Sequence, residues 1–449
     1  MKIIIRFISN KFGVDGAIAY SVLARLIQGA GGVISILFIA KYLNKIEQGY
    51  YFTFASLLAI QFFFELGLSN IIIQFVAHEI AHLHWINKTE LTGSEESKSR
   101  LSSLLRFYVK WFLVVSILLI FVLLFIGNIF FSKYGKENAS VDWMAPWLIL
   151  SVTTGCSLLI SPVLAFLEGL GKVEEVAKIR LTQQVCQLIL IIVFFSSGLK
   201  LFANPLAAFV ALIIAPTWIL FSSKKKLLLS IWSQLDKWRV NYWKEIYPYQ
   251  WRIALSWISS YFIFQLFNPV LFATSGPVVA GQMGMTLAAL SGVLAVSVSW
   301  INTKIPVFSS LIAKKNFKYL DILFNKTLKQ SSLICGGCLI LLILIVFSLQ
   351  TLKLPIGNRI LPILPFTLLC IATFSNQLVL AMATYLRCHK QEPLVMPYLV
   401  LGLLTATSTI LLGKFYGLNG IVWGYSLLIV FISLTWSAYI FIAKKKLWH

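Results

Sequence analysis

The chain has 449 residues, of which 59% are hydrophobic and only 12% are charged, and its formal net charge is +22. Soluble domains carry about twice that charged fraction, so the composition excludes a soluble globular protein. The basic residues stand in short clusters between apolar runs, without the interleaved aromatic stripe of a nucleic-acid-binding surface, so we predict no nucleic-acid partner.

Twelve apolar stretches are long enough to cross a bilayer, because a hydrocarbon core of about 30 Å takes roughly 20 helical residues. In chain order, the predicted spans are Val14–Leu43, Gly49–Val76, Leu104–Phe131, Asp142–Leu170, Val176–Ser197, Phe202–Ser222, Tyr247–Ser275, Val278–Asn302, Gln330–Leu349, Ile360–Arg387, Leu394–Leu412 and Gly420–Ala443. The polar stretches between them are too short to bury a core of their own. We therefore predict an all-α polytopic membrane protein with about 12 transmembrane helices.

The distribution of Lys and Arg predicts the orientation. If the amino terminus is inside, 28 of the 38 Lys and Arg residues fall on the inner side and 8 on the outer side. The other two, Arg25 and Lys110, lie within spans. Because cytoplasmic segments carry the excess of basic residues, both termini are predicted to be cytoplasmic.

A basic, Trp-rich linker over residues 224–246 has six predicted spans on either side. Within it, Ser230–Glu245 is typical of an amphipathic helix lying on the inner membrane surface. Glu47-Gln-Gly49-Tyr opens the second span, and Ala280-Gly-Gln-Met-Gly284 opens the eighth. This weak repeat predicts a six-helix lobe over 1–223, the linker 224–246 and a second six-helix lobe over 247–449, around a central cavity.

Charged residues inside spans are the candidate functional residues, since each costs roughly 2.5–3.5 kcal/mol at a helix centre. Arg25 stands about eleven residues, or some 16 Å, into the first span. Glu65 lies at a similar depth from the inner end of the second, so the two can form an ion pair. Arg252 lies near the start of the seventh span, where it either snorkels to the inner headgroups or faces the cavity. Lys304 ends the eighth span and is expected at the interface.

The sequence motifs include no nucleotide-binding loop, no His pair at metal spacing within a span and no Ser-His-Asp arrangement. Cys335-Gly-Gly-Cys338 has the spacing of a metal or redox motif, but it lies in an apolar span and is interpreted as packing thiols. We therefore predict a protein that is not an enzyme and has no cofactor or metal site.

Four segments together carry a family resemblance. They are Arg25-Leu-Ile-Gln-Gly-Ala-Gly-Gly32, Glu65-Leu-Gly-Leu-Ser69, Leu167-Glu-Gly-Leu-Gly-Lys172, and Ala280-Gly-Gln-Met-Gly284 followed by Pro306 and Leu311-Ile-Ala-Lys314. With these in order along the whole chain, the sequence resembles the polysaccharide transporter or O-antigen flippase family. That family belongs to the multidrug/oligosaccharidyl-lipid/polysaccharide exporter superfamily.

The resemblance implies a flippase of the bacterial inner membrane. It would move an undecaprenyl-diphosphate-linked oligosaccharide, such as an O-antigen or lipopolysaccharide unit, from the cytoplasmic to the periplasmic leaflet by alternating access. Arg25, Arg252 and Lys304 would then attract the diphosphate, which an Arg guanidinium can bind through two oxygens. Glu65 would orient Arg25 or serve a coupling ion, Na⁺ or H⁺.

Two other functions stay open. A cation-coupled multidrug antiporter of the same superfamily needs acidic residues in its cavity, and Glu65 is the clear candidate; a basic cavity argues against cationic drugs. A membrane enzyme such as an O-antigen polymerase would be expected to have a large outer loop with clustered Arg or His, whereas the predicted outer loops are short.

Overall fold

In the computed structural model, residues 31–32, 34–87, 89–135, 141–234, 236–389 and 391–448 are described, with the backbone alone at Tyr249 and Arg252. These residues are almost entirely helical. The helices are α1 (Lys45–Leu58), α2 (Phe62–Glu65), α3 (Leu68–Ile80), α4 (Glu95–Tyr134), α5 (Met144–Gly169), α6 (Val173–Ser196), α7 (Ala203–Phe221), α8 (Ser223–Ser233), α9 (Tyr247–Phe264), α10 (Phe267–Ser275), α11 (Pro277–Asn302), α12 (Ile305–Ala313), α13 (Phe317–Thr351), α14 (Ile363–Cys388), α15 (Val395–Leu427) and α16 (Thr435–Trp448). Short 3₁₀ or π turns occupy Ala59–Gln61, Lys200–Phe202, Tyr242–Ile246, Gly357–Arg359 and Leu428–Leu434.

The prediction of an all-α polytopic membrane protein is confirmed. The described residues contain ten helical segments, some of them kinked, that are long and apolar enough to cross a membrane. One of them, Val395–Trp448, covers the last two predicted spans. These two spans are separated at Gly417, where the backbone (φ 54°, ψ −135°) leaves the helical region. The first predicted span lies mostly outside the described residues. Near its C-terminal end, residues 34–42 are helical.

Local sequence signals set where several helices begin. Asn44 and Glu47 form a reciprocal cap at α1: the Glu47 amide donates to Asn44 Oδ1 (2.7 Å), and the Asn44 amide donates to Glu47 Oε2 (2.8 Å). Ser94 caps α4 by accepting from the Ser97 amide (3.4 Å). Such caps satisfy amides that the first helical turn leaves without a partner, so polar residues here begin the helices.

The polar stretches differ from the predictions. The helix predicted over Ser230–Glu245 is wrong in part: α8 ends at Ser233, and residues 236–241 are not helical. The reason is that side chains of α4 bind the backbone of this segment instead, as described below. Two short strands, β1 (Leu83–Trp85) and β2 (Leu91–Gly93), form an antiparallel hairpin that the sequence did not predict. Such a short hairpin carries a weak sequence signal.

The described residues form two compact units. The first contains residues 58–257, including the whole linker, and the second contains 31–57 and 258–448. In the core of the first unit, α5 packs on α4, where the buried Trp147 indole donates to the Leu123 carbonyl (3.1 Å). Gly127 makes room for this ring, since a β carbon there would lie 2.7 Å from Trp147 Cδ1.

The second unit has an aromatic core on α12, α13 and α14. Phe308, Phe324 and Tyr385 are fully buried there, and the Phe324 and Tyr385 rings meet edge to face, with centroids 4.7 Å apart.

Helices α1 and α11, which carry the two segments that suggested an internal repeat, pack on each other in the second unit. A β carbon at Gly49 would lie 2.6 Å from the Pro277 carbonyl carbon. Close backbone approach through small residues is a common way for helices to associate in membranes.

Candidate functional site

The four residues predicted from the sequence are not equally described. Arg25 lies outside the described residues, so its pairing with Glu65 stays a prediction. For Arg252 the backbone belongs to α9 of the first unit, and nothing is described of its side chain. Glu65 and Lys304 are described with their side chains, and they belong to different units.

Glu65 lies at a break in the middle of a predicted span. Helix α2 ends at Glu65, the next two residues are left-handed (Leu66 φ 49°, Gly67 φ 70°), and α3 begins at Leu68. The sequence predicted a continuous helix here and missed the break. Non-helical backbone at membrane depth is tolerated where it is buried in protein or lines a cavity, and it is typical of transporter binding sites.

The glycine at the break is required by its neighbours as well as by its backbone. A β carbon at Gly67 would lie 3.1 Å from Trp257 Nε1 and closer still to the Ile253 side chain of α9. Trp257 also meets Phe62 edge to face, with ring centroids 5.5 Å apart. Because Arg252 directly precedes Ile253, the fold brings the backbone of one predicted site residue beside the break that carries another.

The Glu65 carboxylate is half-buried and is connected to α5 through hydroxyl groups. Ser69 Oγ donates to Glu65 Oε1 (2.7 Å), and the Ser69 and Ser161 hydroxyls are 3.1 Å apart. Ser161 precedes Pro162, which lies inside α5. A carboxylate with hydroxyls and the backbone of a helix break is a set of hard oxygen ligands, suited to a proton or a small cation.

Lys304 lies at the kink between α11 and α12 in the second unit. Its backbone caps α12, accepting from the Phe308 amide (2.9 Å), and its side chain is exposed. Lys304 therefore follows the end of α11, and its expected place at the inner membrane interface stays a prediction. Its predicted role in substrate binding stays a prediction.

The sequence missed an ion cluster in the first unit. Arg100 Nε donates to Glu79 Oε1 (2.8 Å), and Arg100 Nη2 donates to Glu245 Oε2 (2.6 Å). Burial of the Glu245 carboxyl works against its charge, but the hydrogen bonds from the Asn241 amide and Arg100 outweigh burial and lower the pKa of Glu245. The cluster ties the C-terminal end of α3 to α4 and to the end of the linker.

A second cluster joins α1, α11 and the turn before α14 in the second unit. Gln48 is 1% exposed, and its amide nitrogen donates to the carbonyls of Gly281 (2.8 Å) and Arg359 (3.0 Å). Burial lowers the pKa of Arg359, and the nearby Glu47 carboxylate opposes that effect. The signal in the sequence was the pair of glycine motifs, which we had interpreted only as a repeat.

Within the described parts of the chain, no group of three or more His, Cys, Asp and Glu side chains could hold a metal ion. His78 and His82 are close, with rings 5.6 Å apart, and both are exposed at the C-terminal end of α3. Cys335 is buried in α13 and Cys338 is half-buried, and neither forms a disulfide.

No protein-family model matches the chain, and no curated protein matches it either. Solved structures do. The multidrug transporter DinF-BH in complex with R6G superposes with a TM-score of 0.60 at 13% identity, covering 96% of both chains. The inward closed lipid II flippase MurJ gives 0.58 at 15% identity, covering 96% of this chain and 89% of the other. A transporter from Pyrococcus furiosus, described as having a binding pocket of reverse polarity, gives 0.55 at 12% identity.

The chain has the fold of the MOP superfamily transporters. At these identities the likeness is one of fold, and it covers nearly the whole chain. The chain is therefore a multi-pass membrane protein with a transporter fold.

Proposed function

We propose that this protein is a flippase that moves an undecaprenyl-diphosphate-linked oligosaccharide, such as an O-antigen unit, from the cytoplasmic to the periplasmic leaflet of the bacterial inner membrane. Both termini then lie in the cytoplasm. The protein acts by alternating access and catalyses no covalent step.

The observation that carries this proposal is the excess of basic over acidic side chains, together with the pairing of many of the acidic ones. The sequence contains 38 Lys and Arg residues but only 16 Asp and Glu. Ion pairs of 3.3 Å or less already hold Glu79, Glu95, Glu168, Glu175, Glu245, Asp321 and Glu392. Because each ion pair also uses a cation, the chain keeps its net charge of +22. This basic excess supports an anionic diphosphate cargo over a cationic drug.

The proposed site combines the charged residues predicted from the sequence with the helix break at Glu65. Arg25 and Arg252 bind the diphosphate oxygens, and Lys304 attracts the headgroup near the inner surface. Glu65, with Ser69 and Ser161, takes up H⁺ or Na⁺ at the break. Binding of that ion removes or balances one negative charge beside the anionic cargo, which gives a physical basis for coupling.

A cation-coupled multidrug antiporter is the second candidate. It is favoured by Glu65, a carboxylate within a predicted span at a broken helix, and by the likeness to a multidrug transporter solved with R6G. In this case the Glu65 carboxylate exchanges a coupling ion for a lipophilic cation. Both functions use the same break, so the substrate distinguishes them.

The test is transport by the full-length protein in liposomes. We expect a fluorescent undecaprenyl-diphosphate oligosaccharide to cross between leaflets, and Arg25→Ala to slow it by about tenfold, because one bidentate charged contact is lost. Arg25→Lys should keep part of the rate. Lys110→Ala, which removes an exposed cation from the inner part of α4, is the matched control.

The same liposomes are loaded with a lipophilic cationic dye under a Na⁺ or H⁺ gradient. Dye movement without lipid movement would establish the antiporter and overturn the flippase. Lipid movement that Arg25→Ala leaves unchanged would overturn the assigned role of Arg25.

A further inference from the structure

The linker turns its backbone inward and its charged side chains outward. Ser99 Oγ donates to the Trp238 carbonyl (2.7 Å) and accepts from the Asp236 amide (2.8 Å). Arg106 donates twice to the Trp232 carbonyl, at 3.0 and 2.6 Å. Because α4 takes up these backbone groups, the segment is held without being helical, and its side chains are left at the surface.

Helix α8 shows the same arrangement. Lys224, Leu227 and Ile231 share one helical face and are buried, and Lys224 Nζ pairs with Glu175 at 2.8 Å. The opposite face presents Lys225 and Lys226 beside Leu229, which is 58% exposed. An apolar residue between exposed cations is the pattern of a helix at a charged interface.

The outward-facing side chains form what we call the linker surface. It consists of Lys225, Lys226, Lys237, Trp238, Arg239, Trp243 and Lys244, all exposed. The two tryptophans are 51% and 70% exposed. The linker has two acidic residues. Glu245 is half-buried and paired with Arg100, so among the described exposed linker residues only Asp236 carries a negative charge.

The position of this surface relates it to the bilayer. In the chain, the linker follows the end of α7 and precedes the span that contains α9. It is held by the polar start of α4, which precedes the apolar run of that helix. Five exposed cations with two exposed indoles beside the ends of three spans match the chemistry of an anionic headgroup layer. Indoles settle at headgroup depth, and Lys and Arg are attracted to anionic lipids.

We propose that the linker surface is a binding site for anionic phospholipids of the adjoining leaflet, preorganised by its attachment to α4. The lipid phosphates take the Lys and Arg side chains, and Trp238 and Trp243 enter the headgroup layer. The proposal is independent of the transported substrate.

The experiment uses the full-length protein in detergent and native mass spectrometry with phosphatidylglycerol or phosphatidylcholine. The variant Lys237→Ala/Arg239→Ala/Lys244→Ala should retain about one third or less of the phosphatidylglycerol that wild type retains, because three phosphate partners are lost. The amount of bound phosphatidylcholine should be unchanged. The matched control is Lys133→Ala/Lys353→Ala/Lys414→Ala, which removes three exposed cations predicted to lie on the other side. Equal loss in both variants, or no loss in either, would overturn the proposal.

Two further measurements separate this site from a folding effect and from a free-phosphate site. The unfolding temperature in phosphatidylcholine should be the same for wild type and the linker variant. If it differs, the lipid-binding comparison is repeated with Lys237→Gln/Arg239→Gln/Lys244→Gln, and the result for that variant decides whether the proposal holds. Raising NaCl from about 50 mM to about 500 mM should weaken phosphatidylglycerol binding through screening. Inorganic phosphate at equal ionic strength should displace no more lipid than NaCl does, and a larger displacement would overturn a lipid-binding surface.

Discussion

Gln48 and Arg359 bind each other through both their side chains and a backbone group. The Gln48 amide nitrogen donates to the Arg359 carbonyl (3.0 Å), and Arg359 Nη1 donates to Gln48 Oε1 (3.1 Å). The two residues are 311 positions apart in the chain. They join the start of α1 to the turn before α14, so part of the second predicted span belongs to the second unit.

Replacing Gln48 by Leu should destabilise the protein by about 1–3 kcal/mol, because the buried Gly281 and Arg359 carbonyls lose their donor. Thermal unfolding in detergent measures the effect. Gln282→Ala is the control, since Gln282 donates to the neighbouring Asn358 carbonyl (2.9 Å) from an exposed position. If both variants unfold at the same temperature, the buried hydrogen bonds do not stabilise the second unit.

Gly49→Ala should destabilise the protein by about 2 kcal/mol or more, because the new methyl group meets the backbone of Pro277 and α1 must move away from α11. Gly292→Ala in α11 has no atom within 4 Å of the added β carbon, so it should be neutral or stabilise by about 0.5–1 kcal/mol. The comparison is made on unfolding temperature and on the yield of folded protein. Similar values for the two alanine variants would contradict the close packing of α1 on α11.

Arg100→Gln should destabilise the first unit by about 3 kcal/mol, because Glu79, which is 4% exposed, is left as a buried and unpaired charge. Lys98→Ala is the control, as Lys98 pairs with the exposed Glu95 on the same helix. Both are measured by thermal unfolding. An effect no larger than that of Lys98→Ala would show that the cluster contributes nothing.

The same cluster predicts a pH dependence. The folded-state pKa of Glu245 lies below its ordinary value of 4.5, so the carboxylate contributes stability above that value. The contribution is lost as the pH falls through the lowered folded pKa. Glu245→Gln should therefore flatten the acid limb of the unfolding temperature measured between about pH 7 and about pH 3.5. An acid limb identical to wild type would rule out Glu245 as its source.

Glu65→Gln should remove the dependence of transport on a Na⁺ or H⁺ gradient and slow transport by about tenfold, because the amide cannot take up a proton or balance a cation. Initial rates in liposomes, with and without the gradient, give the result. Glu174→Gln, at an exposed position in the first turn of α6, should leave both rates unchanged. A Glu65→Gln protein that still responds to the gradient would place coupling elsewhere.

Glu65 and the cluster around Arg100 differ in how far the sequence could reveal them. Glu65 was identified from the sequence because a carboxylate within an apolar run is costly wherever the run folds. Its helix break was not, since Leu66 has no turn signal, and Ile253 and Trp257, which leave no room for a β carbon at Gly67, lie far along the chain. Arg100, Glu79 and Glu245 look like ordinary surface charges until α4 brings them together.

The sequence by itself determined that the chain is an α-helical membrane protein and where most of its spans lie, and it predicts the orientation. Those follow from hydropathy and the placement of Lys and Arg, which act residue by residue along the chain. Only the tertiary structure decided that α1 packs on α11, that the linker is held by α4, and that α2 and α3 are separated at Glu65. Each of these depends on contacts between residues more than a hundred positions apart, whose energies no local pattern contains.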